Sequence, residues 1–343
     1  MKKTPNLFQR NSIAICLLIF ISLIILITRR GAQLFSPHIW DEDGVTITPH
    51  GGLGNIPGFL ENSWLSLFEP VNGYLLFIPK IITGISLNIS FIQYPIISTI
   101  IAWIFIIYVV CMVATANTML NGKPLLALLI LCLPTDPEVI GIPLYTFWWA
   151  SILLFLVPFW MSSDEKIGKR FYFLTIGGLS SPAILLILPT LFIRIFIFKN
   201  KAQEIYIFIW AFFFGLIQSL LIFRTSSNVE YDFVAIAKSM VPIFFGNFLL
   251  GSFTSDYVSL FLAGLILLSS IIIGLWVSSS NYLFLTFLYL IFGSIALTIA
   301  RVDISLIHPA LSGPRYFFFP FIFTMWCITH IAFTNLKIRF FTF

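Results

Sequence analysis

The chain has 343 residues, 59% of them hydrophobic and 10% charged, with a net charge of +5 and a mean hydropathy of +1.01. A soluble fold of this composition would lack polar surface, so the sequence excludes a soluble enzyme or binding module and specifies an all-α polytopic membrane protein. The excess of bases lies at the ends of apolar runs, which is a topology signal and gives no reason to invoke nucleic acid.

In chain order, residues 11–28, 93–115, 142–161, 205–223, 257–277, 282–300 and 316–333 are apolar runs near the roughly 20 residues that a spanning helix needs. Residues 125–133 form a shorter run. Residues 171–198 are too long for one crossing and are interrupted by Gly177-Gly178-Leu179-Ser180-Ser181-Pro182, which reads as two helices. The expected total is about ten crossings. The first run lacks a small-residue cleavage pattern and is followed by Arg29-Arg30, so it reads as a retained anchor.

Residues 73–88 have a short apolar core carrying Pro79 and Lys80, and charge decides their placement. With this segment at the outer interface, Lys123, Lys166, Lys169, Arg170, Lys199, Lys201, Lys337 and Arg339 all fall on the side of Lys2, Lys3 and Arg10. The positive-inside rule then puts both termini in the cytoplasm. The outer face consists of one large loop, about residues 31–92, and smaller ones around Asp136, Glu230 and Asp303; eleven of the fourteen acids lie there. No repeat, low-complexity tract or linker marks a second domain, so residues 1–343 read as a single transmembrane domain. Cys16, Cys111, Cys132 and Cys327 show no paired spacing and read as packing residues.

The densest chemistry is Trp40-Asp41-Glu42-Asp43-Gly44, just past the first span. One carboxylate at bilayer depth costs about 2.5 to 3.5 kcal/mol on insertion scales, so three together belong at the water's edge. Two roles are open: a metal clamp (Mg or Mn) from Asp41 and Asp43, or a general base from whichever acid faces an acceptor. Later in the loop, Glu69-Pro70-Val71-Asn72-Gly73-Tyr74 reads as a turn into an interfacial helix, with Tyr74 as its anchor and Lys80 snorkelling or binding a lipid phosphate. Gly51-Gly52-Leu53-Gly54 lacks the context of a phosphate loop. Asp136 and Glu138 lie in a tight outer link, and Trp148-Trp149 reads as packing before it reads as a sugar platform. Arg301, His308 and Gly313-Pro314-Arg315-Tyr316 form the last outer loop. Arg315 opens a helix against the charge bias, where its planar fork suits a phosphate or an interface.

Together Glu42-Asp43-Gly44, Glu69-Pro70 with Gly73-Tyr74 and Pro79-Lys80, Pro134 with Glu138 and Trp148, Gly178-Leu179-Ser180-Ser181-Pro182, and Arg315-Tyr316 with Pro320 resemble a bacterial branch of the GT-C superfamily of polytopic glycosyltransferases. The resemblance implies an active site on the outer face of the cytoplasmic membrane. It implies a polyprenyl-phosphate sugar as donor, a cell-surface glycan or lipid-linked acceptor, and inversion at the anomeric carbon. Carried over, an acid among Asp41, Glu42 and Asp43 is the base. Lys80, Arg301, Arg315 and Tyr316 hold the donor phosphate and lipid, and Glu69, Tyr74, Asp136, Glu138 and Trp148 contact substrate. Lys80 stands where that pattern has an arginine, and the soluble outer domain of larger members is missing. The rival readings are a lipid-linked oligosaccharide flippase or transporter, which needs ionisable groups in mid-span, an O-antigen polymerase, and a structural subunit.

Overall fold

The computed structural model describes residues 12–39, 41–44, 54–161, 167–223 and 233–341. Trp40, Gly51 to Leu53, Glu230 and the basic residues before Ser12 lie outside them, as do the side chains of Asp41 and Glu42. In chain order the helices are α1 (Ser12–Phe35), α2 (Asp41–Gly44), α3 (Asn55–Asn62), α4 (Phe77–Ile89), α5 (Tyr94–Thr115), α6 (Lys123–Leu131), α7 (Thr146–Leu156) and α8 (Ile167–Ser180). There follow α9 (Ile184–Ile197), α10 (Lys201–Phe223), α11 (Phe233–Met240), a π-helical turn (Val241–Gly246), α12 (Asn247–Leu250), α13 (Tyr257–Ser278), α14 (Asn281–Ile299) and α15 (Phe318–Phe341). Among the described residues there is no β-strand, only the isolated bridges Val71–Tyr74 and Thr118–Trp160.

Among the described residues, six helices are long and apolar enough to cross a membrane: α1, α5, α10, α13, α14 and the stretch Pro314–Thr334. Their packing agrees with their composition. Helix α13 buries only Gly264, Leu267, Ile271 and Leu275, one stripe at helical spacing, while Ile266, Ile273 and Trp276 stand exposed. A helix that is apolar all round yet buried along one stripe presents the rest to lipid.

Four shorter apolar helices accompany them: α4, α7, α9 and Lys238–Leu250. The expected span 142–161 is cut down to the 11 residues of α7. Gly141, with φ of 80°, and Pro143 delay its start, and Pro158, which has no N–H, lies just past its end. The chain then turns into extended backbone, where Met119 donates to the Phe159 carbonyl at 2.7 Å and Met161 to that of Asn117 at 2.9 Å. The run 171–198 does form two helices. They break at Ser181-Pro182, where the Ser181 hydroxyl accepts from the Ala183 N–H at 3.2 Å. Helix Lys238–Leu250 falls where the sequence reads as an outer loop; Lys238, Pro242 and the π-helical turn interrupt its apolar period.

The chain divides into two compact units, Met1–Met119 with Val139–Ser226, and Leu120–Glu138 with Ser227–Phe343. Both are apolar and helical, so composition marks no boundary. In the first, α7 is the core: nearly every residue of it is buried, and Trp149 donates to the Val139 carbonyl at 2.8 Å. Helix α8 comes close because of Gly177, where a methyl group would stand 2.3 Å from Leu154 and 2.9 Å from the Ala150 carbonyl.

One end of this unit is closed by charge. Glu204, in the first turn of α10, accepts from Arg170 of α8 at 3.0 and 2.6 Å and from Arg194 of α9 at 2.8 and 2.8 Å. Arg194 also donates to the Pro158 carbonyl at 2.7 Å and lies 4.1 Å over the Phe198 ring. All three side chains are at most 3% exposed. Two forked guanidiniums on one carboxylate therefore join the ends of three helices to the exit of α7.

In the second unit α15 packs against α6, α13 and α14. The turn before α6 is held to it: the Asn121 N–H donates to His330 Nδ1 at 3.2 Å, and its amide donates to Thr334 at 2.8 Å. The π-helical turn lies against α13 at Gly246, where a Cβ would stand 2.2 Å from the Leu260 carbonyl oxygen.

Replacing Glu204 by Leu strands two buried guanidiniums, and the expected loss is about 3–5 kcal/mol. Thermal unfolding in detergent measures it. The triple variant Arg170→Met, Arg194→Met, Glu204→Leu should recover much of that loss, because no unpaired charge is left inside.

Candidate functional site

Within α1 a kink at Arg30 (φ −141°, ψ 26°) ends the straight run, and past Phe35 lies the short turn α2. Of the three acids, Asp43 has its side chain described, and it is 1% exposed. Asn55, the first residue of α3 and 2% exposed, donates its Nδ2 to Asp43 Oδ1 at 2.8 Å. Asp43 also lies within electrostatic reach of Tyr94, the first residue of α5, whose hydroxyl is 3.2 Å from that of Thr83 on α4. A carboxylate, an amide and a phenol, all withdrawn from water, thus meet beyond the first span.

Helices α2, α3 and α4 pack in sequence. Gly84 makes the contact of α3 with α4 possible, since a Cβ there would meet the rings of Phe59 and Trp64 at 2.7 and 2.9 Å; these two rings stand edge to face at 5.3 Å. The loop between the helices closes on itself. Asn62 donates to the Glu69 carboxylate at 2.6 Å. Val71 and Tyr74 exchange backbone hydrogen bonds of 3.0 and 3.2 Å around Asn72 and Gly73, both at positive φ (51° and 85°). Asn-Gly is the pair that a tight turn with two positive φ angles favours. Gln218 of α10, fully buried, fixes this turn by accepting from the Leu75 N–H at 3.1 Å and donating to the Gly178 carbonyl at 2.8 Å.

Lys80 is 3% exposed. Its ammonium donates to the Ser66 carbonyl and to that of Glu69 at 2.7 Å, so it staples the loop to α4. Burial pulls it down to about 8, against which the Glu69 charge acts. Tyr74 stands 5.8 Å from Phe147, which stands 5.4 Å from Trp148. Among the expected contacts, Glu69, Lys80, Tyr74 and Trp148 thus belong to the first unit with Asp43.

The second unit holds the others. Arg315 donates to Glu138 Oε1 from its guanidinium at 2.6 Å and to Oε2 from its backbone at 3.3 Å, and its guanidinium stands 5.4 Å over Tyr316. The Asp136 N–H donates to the Pro309 carbonyl at 2.8 Å, which sews the link 133–138 to the last loop. Asp136 and Arg301 are exposed. Gly313, at φ 62°, turns the chain so that Pro314 opens the turn that presents Arg315 and Tyr316.

For the metal clamp, the Asp41 side chain lies outside the described residues. Among those described, no three His, Cys, Asp or Glu side chains are grouped to share an ion, and Asp43 Oδ1 already takes the Asn55 amide. Sequence reasoning missed Asn55, Gln218 and the Arg170–Glu204–Arg194 cluster. Arg194 did carry a signal, as a charge inside the run Leu191-Phe192-Ile193-Arg194-Ile195-Phe196, which demands a partner. Asn55 carried none. No family model, curated protein or solved structure matches this chain.

The Lys80 position makes a pH prediction. Its folded value of about 8 lies below the ordinary 10.5, so between these values the unfolded chain binds more protons and stability rises with pH. The expected gain is up to about 3 kcal/mol, read by unfolding in detergent between pH 7.5 and 10.5, and Lys80→Met should flatten that slope.

Proposed function

We propose that the chain is a glycosyltransferase of the bacterial cytoplasmic membrane. It moves a sugar from a polyprenyl-phosphate donor to a cell-surface glycan or lipid-linked acceptor on the outer face, with both termini in the cytoplasm and about ten crossings. The observation that carries this reading is Asp43: a carboxylate just past the first span, 1% exposed and oriented by a buried amide. An ionisable group held out of water by specific partners is the kind of group that catalysis uses.

In the proposed reaction Asp43 takes the proton of an acceptor hydroxyl as its oxygen attacks the anomeric carbon. The bond from that carbon to the phosphate oxygen breaks, polyprenyl phosphate leaves with the electron pair, and the configuration inverts. The donor's own phosphate ester supplies the driving force. A cation eases the charge on the leaving phosphate. Lys80, in the same unit as Asp43, is bonded to two carbonyls and would exchange one of them for phosphate.

The flippase or transporter reading calls for ionisable groups in mid-span facing a cavity. The buried ion cluster of Arg170, Arg194 and Glu204 instead lies at helix ends and is bonded internally, which favours the enzyme.

The test is the sugar composition of the surface polysaccharide in the native host with wild-type chain, Asp41→Asn, Glu42→Gln and Asp43→Asn at matched membrane levels. Loss of a general base lowers rates by about 100-fold or more, so Asp43→Asn should remove one sugar from the polymer. An unchanged polymer in all three variants contradicts the proposal.

A further inference from the structure

Asn55 has two ends, and Asp43 explains one of them. A carboxylate only accepts, so the amide nitrogen must face Asp43, and the amide oxygen points away from it. That oxygen is buried and has no hydrogen-bond partner among the described residues. Beside the carboxylate there is thus a second acceptor that no described residue uses, although buried acceptors are nearly always satisfied.

Resting on the glycosyltransferase reading, we infer that Asp43 and Asn55 together receive a vicinal diol of the acceptor sugar. Asp43 takes the proton of the hydroxyl that attacks, and Asn55 Oδ1 accepts a hydrogen bond from the hydroxyl on the neighbouring carbon. A carboxylate and the amide oxygen of the residue that holds it, both acceptors, select a ligand with two adjacent donors, which a secondary alcohol with a free neighbour supplies. Asn55 is also a positioning residue, because its Nδ2 holds Oδ1 of Asp43 and stabilises the ionised form. The acceptor class is therefore a glycan with a free hydroxyl next to the newly linked carbon. A primary alcohol, or a site flanked by a deoxy or substituted carbon, is disfavoured.

Linkage analysis by methylation, run on surface polymer from cells with wild-type chain and with Asp43→Asn, tests the diol. The expected result is that the sugar lost in Asp43→Asn is joined in the wild type to a secondary position whose neighbour is free. Attachment to a primary hydroxyl, or beside a substituted carbon, overturns the diol and leaves the transferase reading standing. Identical sugars in the two polymers overturn both.

A second measurement asks whether Asn55 acts on Asp43 or only on folding. Transfer from labelled polyprenyl-phosphate sugar to endogenous acceptor is followed against pH in isolated membranes carrying wild-type chain or Asn55→Leu at equal levels. Tyr94 of α5 also faces Asp43 electrostatically and is common to both proteins. Without its amide donor the carboxylate protonates more readily, so Asn55→Leu should transfer at least tenfold more slowly at neutral pH, with the acid limb moved upward. A uniform loss at every pH, or no loss, overturns the role given to Asn55.

Discussion

A charge taken out of water has to be met by the protein, and in the first unit that demand sets where the helices end. Glu204 cannot lie in the first turn of α10 unless the guanidiniums of Arg170 and Arg194 reach it, which fixes the near ends of α8, α9 and α10 together. An isolated buried carboxylate would carry a desolvation penalty of several kcal/mol. The same rule acts on Lys80, whose ammonium is surrounded by the carbonyls of Ser66 and Glu69. By binding them it turns a loop into a fixed lid on α4. The apolar helices supply bulk, and these few polar contacts decide register.

Backbone groups obey the rule as well. Gln218 spends both ends of its amide on main chain, one on Leu75 and one on Gly178, and Ser180 accepts from the Ile78 N–H at 3.2 Å. These bonds seat the Val71–Tyr74 turn and thereby α4, against which α3 packs. Through α3 they bear on Asn55, and through Asn55 on Asp43. The position of the candidate base is therefore the last link in a chain of satisfied polar groups that starts deep among the helices.

Much of this was legible in the sequence. The six long helices follow from runs of apolar residues near the length that a bilayer needs, and the break at Ser181-Pro182 and the Asn72-Gly73 turn follow from local backbone chemistry. Residues 142–161 misled because hydropathy reports what is buried and not in what form. An almost fully buried 11-residue helix and a spanning one look alike by composition. Residues 233–250 misled in the opposite sense, since Lys238 and Pro242 hide a helix that a π-helical turn accommodates. In the candidate site the acids stood out by density beside a membrane, whereas Asn55 and Gln218 are ordinary amides whose meaning arises only from partners 12 and 143 residues away. Arg315 was legible as an arginine at a helix start, but its pairing with Glu138 is a product of folding.

On the proposed reading Asp43 serves bond making on a lipid-linked sugar and not its passage across the bilayer. Purified protein in lipid vesicles, supplied with radiolabelled polyprenyl-phosphate sugar and with glycan extracted from cells lacking this chain, separates the two. The expected result is label transferred to the glycan by wild-type protein and none by Asp43→Asn. Movement of intact lipid-linked sugar between leaflets, with no label on the glycan, would contradict it.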